Sequence, residues 1–177
     1  MADGSPLTSG PLSLETLPPL TRHVLRCREQ RIADASHLLG LDLPRSAYGT
    51  ASRADRHALW LGPDEWLILA PELFAATADA WAVIGASFVE VSDRQVALQL
   101  SGADADICLA GGCPLDLALP AFPIGACART VFHKAEIIVW RTGSSRFQVE
   151  IGRSFAPYVT RLLSEEVQRG RSRTVPT

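Results

Sequence analysis

The stretch "ALWLGPDEWLILA", Ala58 to Ala70, constrains the fold more than any other part of the chain. Two apolar runs, "HALWL" and "EWLILA", flank a Gly-Pro-Asp-Glu turn. Pro63 and Asp64 suit the central turn positions, because proline presets φ and aspartate tolerates the second place. The pattern predicts a β-hairpin. A tight turn would set Leu61 opposite Trp66 and Trp60 opposite Leu67. Cross-strand partners share a face, so Trp60 and Trp66 are expected on opposite sides of the sheet. Both faces are apolar, so both need covering. One tryptophan would then join the core under a helix. The other would cover, or be covered by, a partner, since aromatic residues are enriched at interface hot spots; the alternative is that both are core.

The flanking sequence supplies the layers. "RHVLRCRE" (22–29) alternates like a strand, and "RIADASHLLG" follows with Ile32, Ala35, Leu38 and Leu39 at helical spacing and Gly40 as the stop. "LDLPRSAYGTASRADR" reads as a loop. "PELFAATADAWAVIG" predicts a helix starting at Pro71 and Glu72, with Leu73, Ala76, Ala80, Trp81 and Ile84 on one stripe. "SFVEVSD" and "QVALQLSG" are strands, and Ser101 with Asp104 forms a capping-box pattern for a helix ending at Gly111-Gly112. "CPLDLALPAFPIG" has three prolines and must be irregular. "CARTVFH", "EIIVWR" and "FQVEI" are three more strands, before a helix capped by Ser154 with Phe155, Tyr158, Val159, Leu162 and Leu163 inward. Strands alternating with helices, with antiparallel hairpins between them, define an α+β fold of antiparallel or mixed sheets with packed helices.

A chain of 177 residues with 47% apolar content implies one domain, over 21–168, with two small pseudo-repeated lobes as the finer alternative. Residues 1–20 hold four prolines and read as an extended arm, and 169–177 as a frayed tail. The net charge of −2 and pI near 6.1 leave no basic footprint for nucleic acid or anionic membrane. No apolar run approaches a membrane span. The N-terminus lacks the charged start and apolar core of a signal peptide, so a cytoplasmic location is expected, with Cys27, Cys108, Cys113 and Cys127 as reduced thiols.

Chemistry is harder to find. No GxGxxG or GxxxxGK[ST] loop is present, and the scattered His23, His37, His57 and His133 make no zinc-type pair with the cysteines. Cys113 precedes Pro114, with His133 further on, but a thiol nucleophile needs spatial contact with its base; buried inert thiols are the simpler reading. Glu90 and Asp93 flank "VS". Glu90 shares a strand face with Phe88, either as a catalytic base or on a solvated strand edge, the latter favoured. Arg141 closes its strand before "TGSSRF" and either pairs with a carboxylate or caps a turn.

Taken in order, "WLGPDEWLIL", "VEVSDRQVALQLSG", "GCPLDL", "FPIGACART", "VWRTG" and "RSFAPYVTRLL" resemble the gamma subunits of heterotetrameric sarcosine oxidases, from about Arg22 to Leu163. That family is in turn similar to the folate-binding module of aminomethyltransferases. There, an Asp-Val-Ser-His strand leads to a Gly-Pro turn, and an Arg-Thr-Gly segment carries an acidic loop before Phe-Glu. This chain has Glu90 for the Asp and Asp93 for the His. After Arg141-Thr142-Gly143 only Ser144-Ser145-Arg146 precede Phe147, and Gln148 replaces the Glu. A carboxylate only accepts hydrogen bonds, whereas a glutamine also donates, so a pterin site should suffer from the exchange. The resemblance therefore implies a non-catalytic subunit with no cofactor of its own. It also implies alpha, beta and delta partner subunits that carry FAD, FMN, NAD, zinc and tetrahydrofolate. Together they oxidise sarcosine to glycine, giving hydrogen peroxide and either formaldehyde or methylene-tetrahydrofolate. A stand-alone folate-binding protein or aminomethyltransferase-like enzyme is the alternative.

Overall fold

The computed structural model describes residues 12–173, apart from residues 73 and 75. It contains two five-stranded antiparallel sheets. The first has the order β1-β7-β10-β9-β8, built from Ser13–Thr16 (β1), Gln95–Ser101 (β7), Arg146–Gly152 (β10), Ala135–Gly143 (β9) and Cys127–Phe132 (β8). The second has the order β3-β4-β5-β2-β6, built from Thr50–Arg53 (β3), Arg56–Gly62 (β4), Glu65–Ala70 (β5), Thr21–Arg26 (β2) and Ser87–Glu90 (β6).

The sheets pack face to face through Leu59, Leu67, Leu69, Val91, Cys127 and Ile138. The outer face of the first sheet is covered by α3 (Ala105–Ala110) and α4 (Ala156–Arg173). The outer face of the second is covered by α1 (Ile32–Leu39) and α2 (Ala78–Val83). The result is a four-layer α+β sandwich, and both faces of the Ala58–Ala70 hairpin are buried, as its composition requires.

Several local expectations hold for the reasons that motivated them. The α1 helix buries Ile32, Ala35 and Leu39 and stops at Gly40, whose φ of 64° is left-handed and closes the last turn. The helix α4 buries Ala156, Val159, Leu163 and Val167 on one stripe. All four cysteines are buried and unbridged.

Others are corrected. Half of the expected N-terminal arm is structured: β1 pairs with β7, Ser13 opposite Ser101, and Leu12 is buried against the helical layer. Residues 1–11 lie outside the described set. The expected tail from residue 169 is instead helix as far as Arg173. The loop after Leu41 contains β3, which the hairpin's neighbour recruits as an edge partner. The helix expected from Pro71 begins only at Ala78, where the Thr77 hydroxyl caps the Ala80 N–H; Leu73 of its stripe lies outside the described residues. Ser101 does not cap α3, because it is the last residue of β7 and the helix starts after Asp104. Phe155 is half exposed, not inward.

The hairpin register also differs. Leu59 pairs with Leu67, Trp60 with Trp66, and Gly62 with Glu65, leaving Leu61 as an extra residue. This one-residue bulge moves every side chain of β4 to the other face relative to the expected pairing. Trp60 and Trp66 therefore share a face, beneath α1 and α2. Among the described residues no helix is long and apolar enough to cross a membrane.

Candidate functional site

The inner faces of the two sheets hold a buried polar bridge that sequence reasoning missed. Arg22 of β2 and Glu150 of β10 lie 128 positions apart in the chain. The Arg22 Nε donates to Glu150 Oε2 at 2.6 Å, and a second guanidinium nitrogen reaches Oε1 at 3.3 Å. Their side chains are 3% and 0% exposed, so the ion pair is removed from water. Such a pair survives only with its remaining polar atoms matched. Here Gln148 Nε2 donates to Glu150 Oε1 at 2.7 Å, and Arg22 also donates to the Leu20 carbonyl at 2.9 Å. The sequence signal was present but weak: Arg22 and Glu150 are charged residues inside strand segments. Nothing local says that they meet.

Gln148 stands where the resemblance places a ligand-binding carboxylate. Its side chain is 7% exposed and its amide is turned toward Glu150. Beside it across the sheet is Trp140, tilted against the ring of His57 at 4.9 Å. His57 Nδ1 shares a 2.8 Å hydrogen bond with the Ser52 hydroxyl. Burial pushes the His57 imidazole below its usual value, against the opposing pull of Asp55. His57 is thus held neutral and packed, with its Nδ1 occupied.

The other expected residues do not converge on this bridge. Glu90 is at the exposed end of β6 and accepts from the Ser92 hydroxyl at 2.9 Å, the solvated-edge outcome. Asp93 is exposed in a 3-10 turn over Ser92–Arg94, and its carbonyl accepts from Arg153 Nε at 2.5 Å. Cys113 is buried with its sulfur 3.7 Å from the Thr130 hydroxyl, and Pro114 after it is exposed. Trp66 is fully buried and donates its indole N–H to the Pro44 carbonyl at 2.8 Å, while Trp60 is half-buried in the same cluster.

Arg141 neither pairs with a carboxylate nor sits at the surface. It is 1% exposed, lies over the Phe147 ring at 4.4 Å, and donates to the Ser144 carbonyl at 2.6 Å and to the Leu117 carbonyl. Burial lowers its pKa from the ordinary arginine value, with Asp106 pulling the other way. It ties the β9–β10 turn to the irregular 113–126 segment, a structural task. No cluster of three or more His, Cys, Asp or Glu side chains able to share a metal ion occurs among the described residues.

A cleft of ≈ 700 Å³ opens beside the bridge, with Glu150 in its wall, Val24, Val91 and Ile138 as apolar lining, and Arg94 and Arg153 at the rim. A larger hollow of ≈ 870 Å³ lies between α1 and β3, away from the bridge, and has no buried charged group in its wall. The inter-sheet cleft is the better candidate, because it joins apolar surface to a fixed polar group.

The architecture now defines a class. Aminomethyltransferase T of the glycine cleavage system from Bartonella henselae has a similar fold (TM-score 0.61, 13% identity), covering 88% of this chain and 46% of that one. A chain of heterotetrameric sarcosine oxidase from Corynebacterium sp. U-96 is nearer, with TM-score 0.84 and 24% identity over 94% of this chain and 87% of that one. The fold is that of the aminomethyltransferase folate-binding module.

The chain belongs to the sarcosine oxidase, gamma subunit family, whose profile matches residues 28–168. The gamma subunit of sarcosine oxidase from Corynebacterium sp. (strain P-1) is 29% identical over 99% of this chain and 88% of its own length. That from Arthrobacter sp. is 34% identical over 63% of this chain, a match spanning 57% of the relative.

Proposed function

We propose that this chain is an assembly subunit of a heterotetrameric sarcosine oxidase and contributes no catalytic side chain. It binds the alpha, beta and delta subunits in the cytoplasm. The complex oxidises sarcosine to glycine and hydrogen peroxide, releasing formaldehyde or passing the carbon on as methylene-tetrahydrofolate. FAD, FMN, NAD, zinc and tetrahydrofolate are held by the other subunits.

One observation carries the reading. At the position of the ligand-gripping carboxylate, Gln148 donates its amide hydrogen to Glu150, whose oxygens are also engaged by Arg22. At that position the chain presents an amide donor turned to Glu150 in place of a carboxylate acceptor. A site built around a hydrogen bond loses heavily when that bond cannot form.

The test has two arms. Co-expressed with the genes for its partner subunits, the chain should co-purify with flavoprotein subunits in fixed ratio. Titrated alone with a reduced folate, it should show no change in tryptophan fluorescence at micromolar ligand. Saturable folate binding by the isolated chain, or turnover of sarcosine by it, would favour the folate-enzyme reading and end this one.

A further inference from the structure

The inter-sheet cleft beside the bridge is lined by three kinds of surface. Val24, Val91 and Ile138 give it apolar walls. Gln95 also lines it, and its Oε1 is buried with no hydrogen-bond partner among the described residues. A covered carbonyl oxygen without a donor costs free energy, so this one marks a place where a donor is missing. At the mouth stand Arg94 and Arg153, both exposed. Arg153 is held by its Nε, which donates to the Asp93 carbonyl at 2.5 Å. Glu136 opposes them, but Glu150 is already matched by Arg22, so the two guanidiniums face one free carboxylate in the lining.

The space itself is set by a glycine. Gly152 lies across from Gln95 in the β7–β10 ladder, and strand alternation gives it the same inward face as Glu150. A Cβ at Gly152 would meet only Phe155 within 4 Å, at 4.0 Å. A larger residue would stand in the cleft without touching backbone. The volume of ≈ 700 Å³ is that of a site for a small organic molecule.

These surfaces select three groups on one ligand. Arginines pair with carboxylates, Gln95 Oε1 accepts from an N–H, and valine and isoleucine walls take a branched hydrocarbon. An N-acylated apolar amino acid carries all three around one carbon atom, as does the last residue of a polypeptide. Residues beyond Arg173 are not the source, because α4 begins beside the cleft and carries them about 27 Å away.

We propose that the inter-sheet cleft binds an N-acylated apolar amino-acid carboxylate. The carboxylate lies on Arg94 and Arg153, the amide N–H on Gln95 Oε1, and the side chain between Val24 and Ile138. This does not depend on the subunit reading, and Gln148 takes no part in it.

The full chain is titrated calorimetrically with N-acetyl-L-leucine and with two analogues that each lack one group. N-acetyl-L-leucinamide has no charge, and N-acetyl-N-methyl-L-leucine has no N–H. Saturable binding of the first is expected, with each analogue weaker by about tenfold or more. Gly152→Leu should abolish binding and leave the thermal midpoint unchanged. Should that variant unfold, Gln95→Leu decides instead, because it should erase the preference for the N–H form. A tripeptide ending in leucine separates the two sources: tighter binding assigns a polypeptide terminus, equal binding a free amino-acid derivative. No saturable heat with N-acetyl-L-leucine, analogues that bind equally well, undiminished binding by folded Gly152→Leu, or an unaltered preference in Gln95→Leu would overturn the proposal.

Discussion

Arg22 and Glu150 join the two sheets as a buried ion pair, so neither can be changed alone without cost. Glu150→Gln would strand a buried guanidinium, and Arg22→Ala a buried carboxylate. Each should lower stability by about 3–5 kcal/mol, read from urea unfolding midpoints. Replacing both with apolar residues of similar volume should recover most of that loss; a single mutant within about 1 kcal/mol of wild type would contradict the bridge. His23 makes a second residue-level prediction. It is 6% exposed, stacked on Phe88 at 4.2 Å, and its Nδ1 has no hydrogen-bond partner among the described residues. Burial lowers its pKa below 6.5, with Glu90 partly opposing. The unfolded chain therefore takes up a proton before the folded one does, as pH falls from about 6.5. Stability from neutral His23 is complete above that value and is lost as pH drops toward the folded pKa. His57 is shifted in the same direction and adds to the effect. The urea midpoint should fall between about pH 7.5 and pH 5.5, and less steeply in His23→Phe.

At the scale of elements, what the sequence made legible was periodicity, and what it hid was register and pairing. The alternation of β2, β4, β5, β7, β8, β9 and β10 was readable because each has at least one apolar face. The short edge strands β1 and β3 were not, since Ser13–Thr16 and Thr50–Arg53 have little apolar signal and exist through their neighbours. The Leu61 bulge reversed the reading of the tryptophans, because turn type alone cannot reveal an extra residue one position away. The same limit applied to the site. The resemblance drew attention to Gln148, whereas its partner Glu150 could not be read from the sequence. A local prediction follows at Gly112, between α3 and the irregular segment. A Cβ there would stand 2.7 Å from the rings of Phe132 and His133. The His133 ring belongs to an exposed residue and can move, but Phe132 is fully buried. Gly112→Ala should cost about 1–3 kcal/mol as an overpacking change, measured by thermal or urea unfolding. A neutral result would mean the β8–β9 turn adjusts freely.

Over the whole molecule, β4 and β8 meet at a corner between the two sheets. Cys127 sits in it, with its sulfur 3.4 Å from the Gly49 carbonyl and 3.3 Å from the Trp60 carbonyl. Burial raises its pKa to about 12, only partly offset by the hydrogen bond to Trp60. A thiol that is both covered and protonated does not react. Cys127 should therefore be labelled by iodoacetamide only at the rate of global unfolding, followed by peptide mass spectrometry across a denaturant series. Labelling under native conditions would show that the corner opens locally.

The placement of β10 has a consequence for how the protein is made. This strand lies between β7 and β9 and supplies Glu150, yet among the described residues it is the last strand in chain order. Until synthesis passes Gly152, β7 lacks one of its two neighbours and Arg22 its counterion. The nascent polypeptide thus carries an unfinished sheet through most of its translation, and chaperone demand should peak just before that point.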